Sequence, residues 1–195
     1  MKGNYFQGKV ALVSGGSRGV GFALAQELIK RGAKVVVSAR GANRLFASES
    51  KLKETGGEVK AVVGDVGKWD DCKRMVETAI NQFGKLDLLV NNAGVSMRGR
   101  FDELCPEVID QVAQTNLMGS IYLSRVAIPY LIASQGHLVF ISSIAGLFGL
   151  PVASIYCASK SALKGLCESL RLELIPAGVH IGIVYLGYTE HDPEK

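Results

Sequence analysis

Short apolar segments alternate along this chain with longer segments in which apolar and polar residues are mixed. Short apolar runs rich in valine are separated by longer stretches in which apolar residues recur every three or four positions, the spacing of one helix face. The runs that predict strands are residues 9–14, 34–38, 58–63, 86–90, 137–142 and 180–185. The stretches that predict helices are residues 22–31, 43–55, 69–83, 106–133 and 154–174.

The six strand runs are continuously apolar, which is typical of strands buried on both faces of a parallel sheet covered by helices. Alternation of strand and helix predicts βαβ units with right-handed crossovers. We therefore expect an α/β protein with a Rossmann-type, doubly wound parallel sheet. The length and the lack of a low-complexity linker indicate a single domain over residues 1–195.

Two residues refine the helices. Gly32 predicts the end of the first helix, because glycine is common just beyond a helix C-terminus. Pro129 has no N–H to donate, so it predicts a kink or a split in the stretch 106–133.

Residues 138–158 carry no charge, so a membrane helix has to be weighed against a buried strand, loop and helix. The segment contains Pro151, Gly146 and Gly149 and follows several similar apolar runs. We therefore expect no membrane span.

Composition excludes several classes of protein. Hydrophobic residues make up 48% of the chain and charged residues 21%, which argues against disorder. The net charge of +4 is spread along the chain with no basic cluster, so we expect no nucleic-acid partner. The four cysteines form no CxxC pair, which indicates reduced thiols, a cytoplasmic location and no zinc site.

The first strand is followed by a glycine-rich turn. Gly15, Gly19 and Gly21 form a G-x3-G-x-G pattern directly before a helix. Glycines let backbone N–H groups approach a pyrophosphate, and the helix N-terminus favours its negative charge. The sequence predicts a dinucleotide-binding turn that also includes Ser17, Arg18 and Val20, with an ordinary tight turn as the alternative.

Two other motifs overlap this turn. Residues 15–19 also fit G-x-S-x-G, the turn of serine hydrolases, but that site needs an N–H from an earlier strand-to-helix loop, and none precedes the first strand. Phe22 stands where a P-loop requires lysine. A hydrolase using Ser17 remains an alternative of low rank.

The end of the second strand indicates the form of the cofactor. Ala39 stands where an acidic residue would bind the ribose of NAD, and Arg40 follows it. Together with Arg18, this arginine suits a 2′-phosphate, so we expect NADP(H); the alternative is that both are surface charges. Asp65 and Val66 follow the third strand and are expected to contact the adenine.

Tyr156 and Lys160 are four residues apart on a predicted helix and therefore share a face. An ammonium beside a phenol favours the phenolate, which makes a tyrosine a usable acid/base near neutral pH. Ser143 follows the fifth strand at its carboxyl end, where ligands bind in this class of sheet, and could hydrogen-bond a substrate carbonyl.

With these motifs in family order, the chain resembles the short-chain dehydrogenase/reductase family over essentially its whole length. The matching pieces are SGGSRGVG at residues 14–21, NNAG at 91–94, Asn116, Ser142 with Ser143, and YCASK at 156–160. The resemblance implies that Tyr156 donates a proton to a carbonyl oxygen, Lys160 supports it and holds the nicotinamide ribose, and Ser143 polarises the carbonyl. It also implies cofactor contacts or a water-relay role for the remaining positions, namely Asn92, Ala93, Gly94, Asn116 and Thr189.

The chain departs from the family pattern at three places. Ser14 replaces a usual threonine, and Leu186 with Gly187 stands where Pro-Gly is usual, as in the 11β-hydroxysteroid dehydrogenase branch. Residues 116–165 also resemble 3-ketodihydrosphingosine reductases. The resemblance implies a seventh strand, a helix and a substrate lid beyond the sixth strand, for which this sequence has no residues.

The expected activity is NADPH-dependent reduction of a ketone, or the reverse oxidation of an alcohol, on a lipid-like or steroid-like small molecule. The resemblance also implies a homodimer or homotetramer. The alternatives are an NADP(H)-binding protein without turnover and the serine hydrolase.

Overall fold

The computed structural model describes residues 4–189, and it contains one parallel six-stranded sheet. The strands in chain order are β1 (Val10–Ser14), β2 (Lys34–Ala39), β3 (Val59–Val63), β4 (Leu88–Asn91), β5 (His137–Ser143) and β6 (His180–Leu186). Their order in the sheet is β3-β2-β1-β4-β5-β6, with every neighbouring pair parallel. The Rossmann-type doubly wound fold predicted from the sequence is confirmed.

Six α-helices connect these strands. They are α1 (Gly19–Lys30), α2 (Ala42–Lys53), α3 (Trp69–Phe83), α4 (Pro106–Ala113), α5 (Gly119–Ser134) and α6 (Ser154–Leu174). The first helix begins three residues before the predicted position 22, because the last glycines of the turn already form its first turn. Three short 3₁₀ segments were not predicted: Phe101–Glu103, Ile144–Gly146 and Ile175–Ala177.

Of the two outcomes predicted for Pro129, a kink or a split, the split does not occur at this residue, because α5 runs through it. Pro129 and Arg125, the residue whose carbonyl it leaves unpaired, both lie on the exposed side of the helix, where water can bind that carbonyl. The stretch is divided instead by a π-helical segment, Gln114–Met118, between α4 and α5.

The stretch from Pro106 to Ser134 is apolar enough by composition to cross a membrane, with a mean hydropathy of 1.3 over its most apolar window. Leu123, Ala127 and Leu131 pack into the core against the sheet, and 33% of that window is buried in the fold. The segment 138–158 is a strand, a turn, a loop and the start of a helix, as predicted.

The helices divide between the two faces of the sheet as the crossover rule requires. The crossovers that lead from β1 to β3 place α1 and α2 on one face, while α3, α5 and α6 pack on the other. Consequently no helix among residues 4–189 covers the first face at β5 and β6, contrary to the expectation of strands covered on both sides. A cavity of about 420 Å³ remains there, between α1 and the three strands β4 to β6.

Candidate active site

The glycine turn occupies the carboxyl edge of the sheet between β1 and α1, beside the end of β4. Gly15 and Gly19 have φ values of +69° and +54°, which L side chains rarely adopt. The backbone N–H of Gly16 donates to Ser38 on β2 at 3.0 Å. The first turn of α1 has no side-chain cap, so its N–H groups can bind an anion there.

Asn92, predicted to line the cofactor cleft, fastens this turn to β4. Its Nδ2 donates to the carbonyl oxygens of Ser14 at 2.8 Å and Gly15 at 3.2 Å. A Cβ on Gly21 would lie 2.4 Å from this Nδ2 atom. Since real Cβ atoms do not approach so closely, glycine is required at position 21 for packing, in addition to any role toward a ligand.

Ser14, which from the sequence is only a replacement for threonine, links β1 to β4 by hydrogen bonds. Its buried hydroxyl accepts from the backbone N–H groups of Asn92 at 3.1 Å and Ala93 at 3.0 Å, and donates to Val90 at 3.3 Å. The hydroxyl therefore holds the ends of β1 and β4 together, at the place where the strand order reverses. A polar residue ending an otherwise apolar strand is the signal that could have identified it.

The predicted phosphate-binding arginines lie on this same edge. Arg18 precedes α1, and Arg40 follows β2, which ends at Ala39, one residue beyond the predicted 34–38. Both arginines are exposed, and neither forms an ion pair with any residue in the described range 4–189. The hydroxyl of Ser48 on α2 donates to the carbonyl of Ser17 at 2.8 Å, which joins α2 to the turn.

Asp65 and Val66, the predicted adenine contacts, form a tight turn after β3. Asp65 Oδ1 accepts from the N–H of Gly67 at 2.9 Å, and the N–H of Asp65 donates to Asp71 on α3 at 2.7 Å. This backbone hydrogen bond is the main reason that the pKa of Asp71 lies below its usual value. Val66 has its side chain buried against Gly119, so only its backbone is available to a ligand.

Lys160 is buried between α6 and β5. Its Nζ donates to the carbonyl of Ile141 at 2.8 Å and lies 5.9 Å from the centre of the Tyr156 ring. Burial lowers the pKa of Lys160 to about 8. A Cβ on Gly94 would lie 3.4 Å from the same Nζ atom. The loop after β4 therefore packs against α6 at Lys160.

Ser143 ends β5 and caps the short turn Ile144–Gly146. Its Oγ accepts a hydrogen bond from the N–H of Ala145 at 3.2 Å. With that acceptor position used by the backbone, the hydroxyl proton is left to donate to another oxygen. The Tyr156 side chain is half-buried, and within residues 4–189 its hydroxyl has no hydrogen-bond partner.

Asn116 lies in the π-helical segment and is fully buried. Its side chain accepts from the N–H of Val95 at 2.8 Å and donates to the carbonyl of Val95 at 2.9 Å and to Ser159 at 3.0 Å. These bonds hold the loop after β4 against α6 and use both amide hydrogens of Asn116, while its backbone carbonyl accepts from the hydroxyl of Ser120 at 2.9 Å. Val95 and Ser159 could not be identified from the sequence, because a contact between distant segments has no local sequence signal.

Thr189 follows β6, which pairs with the end of β5 through Leu186 and Ser143. It lies three residues beyond β6 at the edge of the described range, where no hydrogen bond joins it to the other predicted residues. Ser17 does not form a hydrolase site among the described residues. His137 and His180, the histidines there, begin β5 and β6 at the opposite edge of the sheet from the turn after β1.

Comparison with known proteins gives consistent matches. The family described as short chain dehydrogenase matches residues 9–195. Among curated proteins, 11-beta-hydroxysteroid dehydrogenase 1A of Arabidopsis thaliana is 43% identical over 189 residues, which cover 95% of this chain and 53% of that protein. An uncharacterized oxidoreductase of Thermotoga maritima is 35% identical, over 96% of this chain and 74% of its own length. The chain thus spans about half the length of its hydroxysteroid dehydrogenase relative.

Solved structures share the fold closely. A dehydrogenase/reductase from Sinorhizobium meliloti superposes with a TM-score of 0.92 at 32% identity, covering 97% of this chain and 76% of that one. A metagenomic short-chain oxidoreductase in complex with NADP superposes with a TM-score of 0.88 at 35% identity, covering 94% and 84%.

Proposed function

Because this chain belongs to the short-chain dehydrogenase family, we propose that it binds NADPH and reduces a ketone to a secondary alcohol, or catalyses the reverse reaction. The observation that carries this proposal is the buried Lys160 ammonium, held by the carbonyl of Ile141 beside the Tyr156 ring. A lysine this deeply buried is costly to keep charged, and such groups cluster at functional sites.

The carboxyl edge of the sheet fits a dinucleotide phosphate. Gly15 packs closely on the residues after β4, since a Cβ there would lie 2.9 Å from the Ala93 Cα atom. Gly19 has open space where its Cβ would stand. Arg18 and Arg40 are free of ion pairs with residues 4–189, so both are available to a 2′-phosphate, which supports NADP(H) over NAD(H).

The chain's own residues supply the proton and the orientation. NADPH, when bound, supplies the hydride that the carbonyl carbon receives. Tyr156 donates its hydroxyl proton to the carbonyl oxygen, so that the product is the alcohol, and Ser143 donates a hydrogen bond to that oxygen. Lys160 favours the resulting phenolate until a proton returns. The backbone carbonyl of Asn116, which already accepts from the Ser120 hydroxyl at 2.9 Å, would bind the relay water through its second lone pair.

The substrate we propose is lipid-like or steroid-like. A relative at 43% identity bears the name of a hydroxysteroid dehydrogenase, and Leu186 with Gly187 follows the same branch. In addition, Leu147 and Phe148, which lie between Ser143 and Tyr156, are more than half exposed, at 55% and 56%. An apolar surface beside the proposed catalytic residues suits an apolar ketone.

The test is consumption of NADPH with a panel of ketones, for the wild-type protein and Tyr156→Phe. We expect the variant to lose turnover by about 10²-fold or more, the usual contribution of a positioned acid, while its NADPH affinity changes little. Equal activity in both proteins would remove Tyr156 from this role.

A second candidate function, left open by the sequence, is NADP(H) binding without turnover. Calorimetric binding of NADPH together with no reduction of any ketone would favour it.

We also propose a homodimer or homotetramer and a cytoplasmic location. Light scattering in solution measures the oligomeric state. The cytoplasmic location is supported by the free state of the four cysteines, Cys72, Cys105, Cys157 and Cys167.

A further inference from the structure

Between residues 4 and 189, two residues other than glycine have positive φ angles, Gln135 at +49° and Val152 at +57°. Gln135 ends helix α5, where a left-handed residue is common. Val152 has no such explanation, and a β-branched side chain is the least suited to this region. A strained backbone that persists points to a function at that position.

Val152 occupies the third position of a β-turn, residues 150–153. The N–H of Ala153 donates to the carbonyl of Leu150 at 3.3 Å, and Pro151 stands at the second position. A turn with proline second and a left-handed third residue is of type II, in which the third position normally holds glycine or asparagine. Valine therefore occupies a glycine position immediately before α6.

Three hydrogen bonds hold this turn in place. The N–H of Leu150 donates to the Sγ of Cys157 at 3.3 Å, and the N–H of Cys157 donates to Ala153 at 2.8 Å. On the other side, the N–H of Gly99 donates to the carbonyl of Val152 at 2.9 Å. The turn is thus fixed both to the helix of Tyr156 and to the loop that follows β4.

The Val152 side chain is not buried by this arrangement, since 46% of the residue is exposed. It precedes Tyr156 by four residues, and Leu147 and Phe148 are exposed in the same loop. We call these three side chains the apolar rim. The rim spans the connection between Ser143 and Tyr156, the two residues that would bind the substrate oxygen.

We propose that Val152 is a specificity-determining residue, which the strained turn holds in the apolar rim so that it contacts the apolar body of a bulky ketone. Glycine would relax the turn and would leave the rim without this side chain. The inference rests on the proposed function, because it names the part of that substrate which the rim recognises.

The experiment compares Val152→Gly and Val152→Ala with wild type, and uses Gln135→Gly and Gln135→Ala as matched controls. Gln135 has the same backbone strain at the end of α5, immediately before β5, at the opposite edge of the sheet from Tyr156. Each protein is tested for melting temperature, NADPH affinity and steady-state reduction of decalone, a bulky apolar ketone, and of cyclohexanone, a small one.

At both positions the glycine variant should melt about 2–4 °C above the alanine variant, because only glycine escapes the cost of a left-handed conformation. Val152→Gly should raise KM for decalone about 10-fold, the effect of a lost apolar contact, and leave kcat for cyclohexanone within about 2-fold. The Gln135 variants should leave both reactions unchanged.

Two results would overturn the inference. One is a Val152→Gly protein with the wild-type KM for decalone, and the other is a Val152→Ala protein that melts at or above Val152→Gly. If wild type reduces neither ketone, the proposed function fails and the specificity role fails with it. If only the role of the apolar rim is wrong, the result is different: wild type reduces both ketones, and each variant reduces each ketone as well as wild type does.

Discussion

Gly21 shows how close packing at a single residue builds the proposed cofactor cleft. The missing side chain lets Asn92 reach the backbone of Ser14 and Gly15, so the glycine turn and the end of β4 share one set of hydrogen bonds. Gly21 thus contributes both to the stability of the fold and to the shape of the proposed cofactor cleft. Substitution of Gly21 tests its contribution to stability.

We predict that Gly21→Ala loses about 1–3 kcal/mol of unfolding free energy, because its Cβ would lie 2.4 Å from both Asn92 Nδ2 and the Gly15 carbonyl oxygen. The control is Gly165→Ala, in the middle of α6, where a Cβ meets nothing within 4 Å. It should gain about 0.5–1 kcal/mol from better helix propensity. Urea unfolding measures both, and a Gly21→Ala protein as stable as wild type would contradict the packing argument.

The buried Lys160 predicts a pH dependence of stability. Its pKa is about 8 in the folded protein, against 10.5 for an ordinary lysine, so the unfolded chain binds more protons between these values. Stability therefore rises with pH across this window, by up to about 3 kcal/mol for this group, and the gain is lost again as pH falls from 10.5 to 8.

The measurement compares wild type with Lys160→Met in urea at pH 7 and pH 10, without cofactor. The stability of wild type relative to the variant should increase with pH. Lys164→Met, one turn along α6, is the control, because Lys164 is exposed and its pKa is raised through its hydrogen bond with Glu168. A pH-independent difference between wild type and Lys160→Met would show that the lysine is not buried as described.

At the scale of elements, the π-helical segment Gln114–Met118 sets the geometry of the site. It carries Asn116, whose side chain joins the loop after β4 to α6. A π segment widens the helix locally, and such segments are frequent at functional sites. The loop, the segment and α6 therefore meet through one buried amide.

We predict that Asn116→Ala costs about 1–3 kcal/mol, because it leaves the N–H and carbonyl of Val95 and the hydroxyl of Ser159 without their partner. Gln114→Ala removes a side-chain bond to Gly67 from the same segment at an exposed position, and should cost less than about 1 kcal/mol. Equal unfolding midpoints for the two variants would argue against the coupling.

At the scale of the whole molecule, the strand order β3-β2-β1-β4-β5-β6 reverses between β1 and β4. Ligands of doubly wound sheets bind at this reversal, outside the carboxyl ends of the strands. The glycine turn and the residues after β4 lie there, and the arginines after β1 and β2 lie at the same edge. The proposed NADPH site is thus a consequence of topology as well as of motif.

We predict that NADPH at 100 times its Kd stabilises the protein by about 2.7 kcal/mol, which raises the melting temperature by about 5 °C or more. At the same concentration, NADH should stabilise it less. Arg40→Ala should remove most of the difference, whereas Arg31→Ala, an exposed arginine at the other end of α1, should preserve it. Equal protection by both cofactors in wild type would contradict the preference for the 2′-phosphate.

Much of the fold followed from local patterns. The continuous valine-rich runs form strands of a parallel sheet, as predicted, and the predicted helices 69–83 and 154–174 have the observed bounds. The predicted bounds differ at two places: α1 begins at Gly19 and not at residue 22, and β4 covers Leu88–Asn91 and not residues 86–90. The break near Asn116 was missed because a π segment depends on what the helix packs against.

The sequence by itself determined the parallel sheet, the glycine turn after β1, and the positions of Ser143, Tyr156 and Lys160, because strand burial, sharp turns and helix faces depend on residues close together in the chain. Only the tertiary structure decided that Asn116 bonds to Val95 and Ser159, that Lys160 is buried on Ile141, and that Val152 is held in a strained turn by Gly99. These contacts join segments far apart in sequence, and their energies exist only once the sheet has brought the segments together.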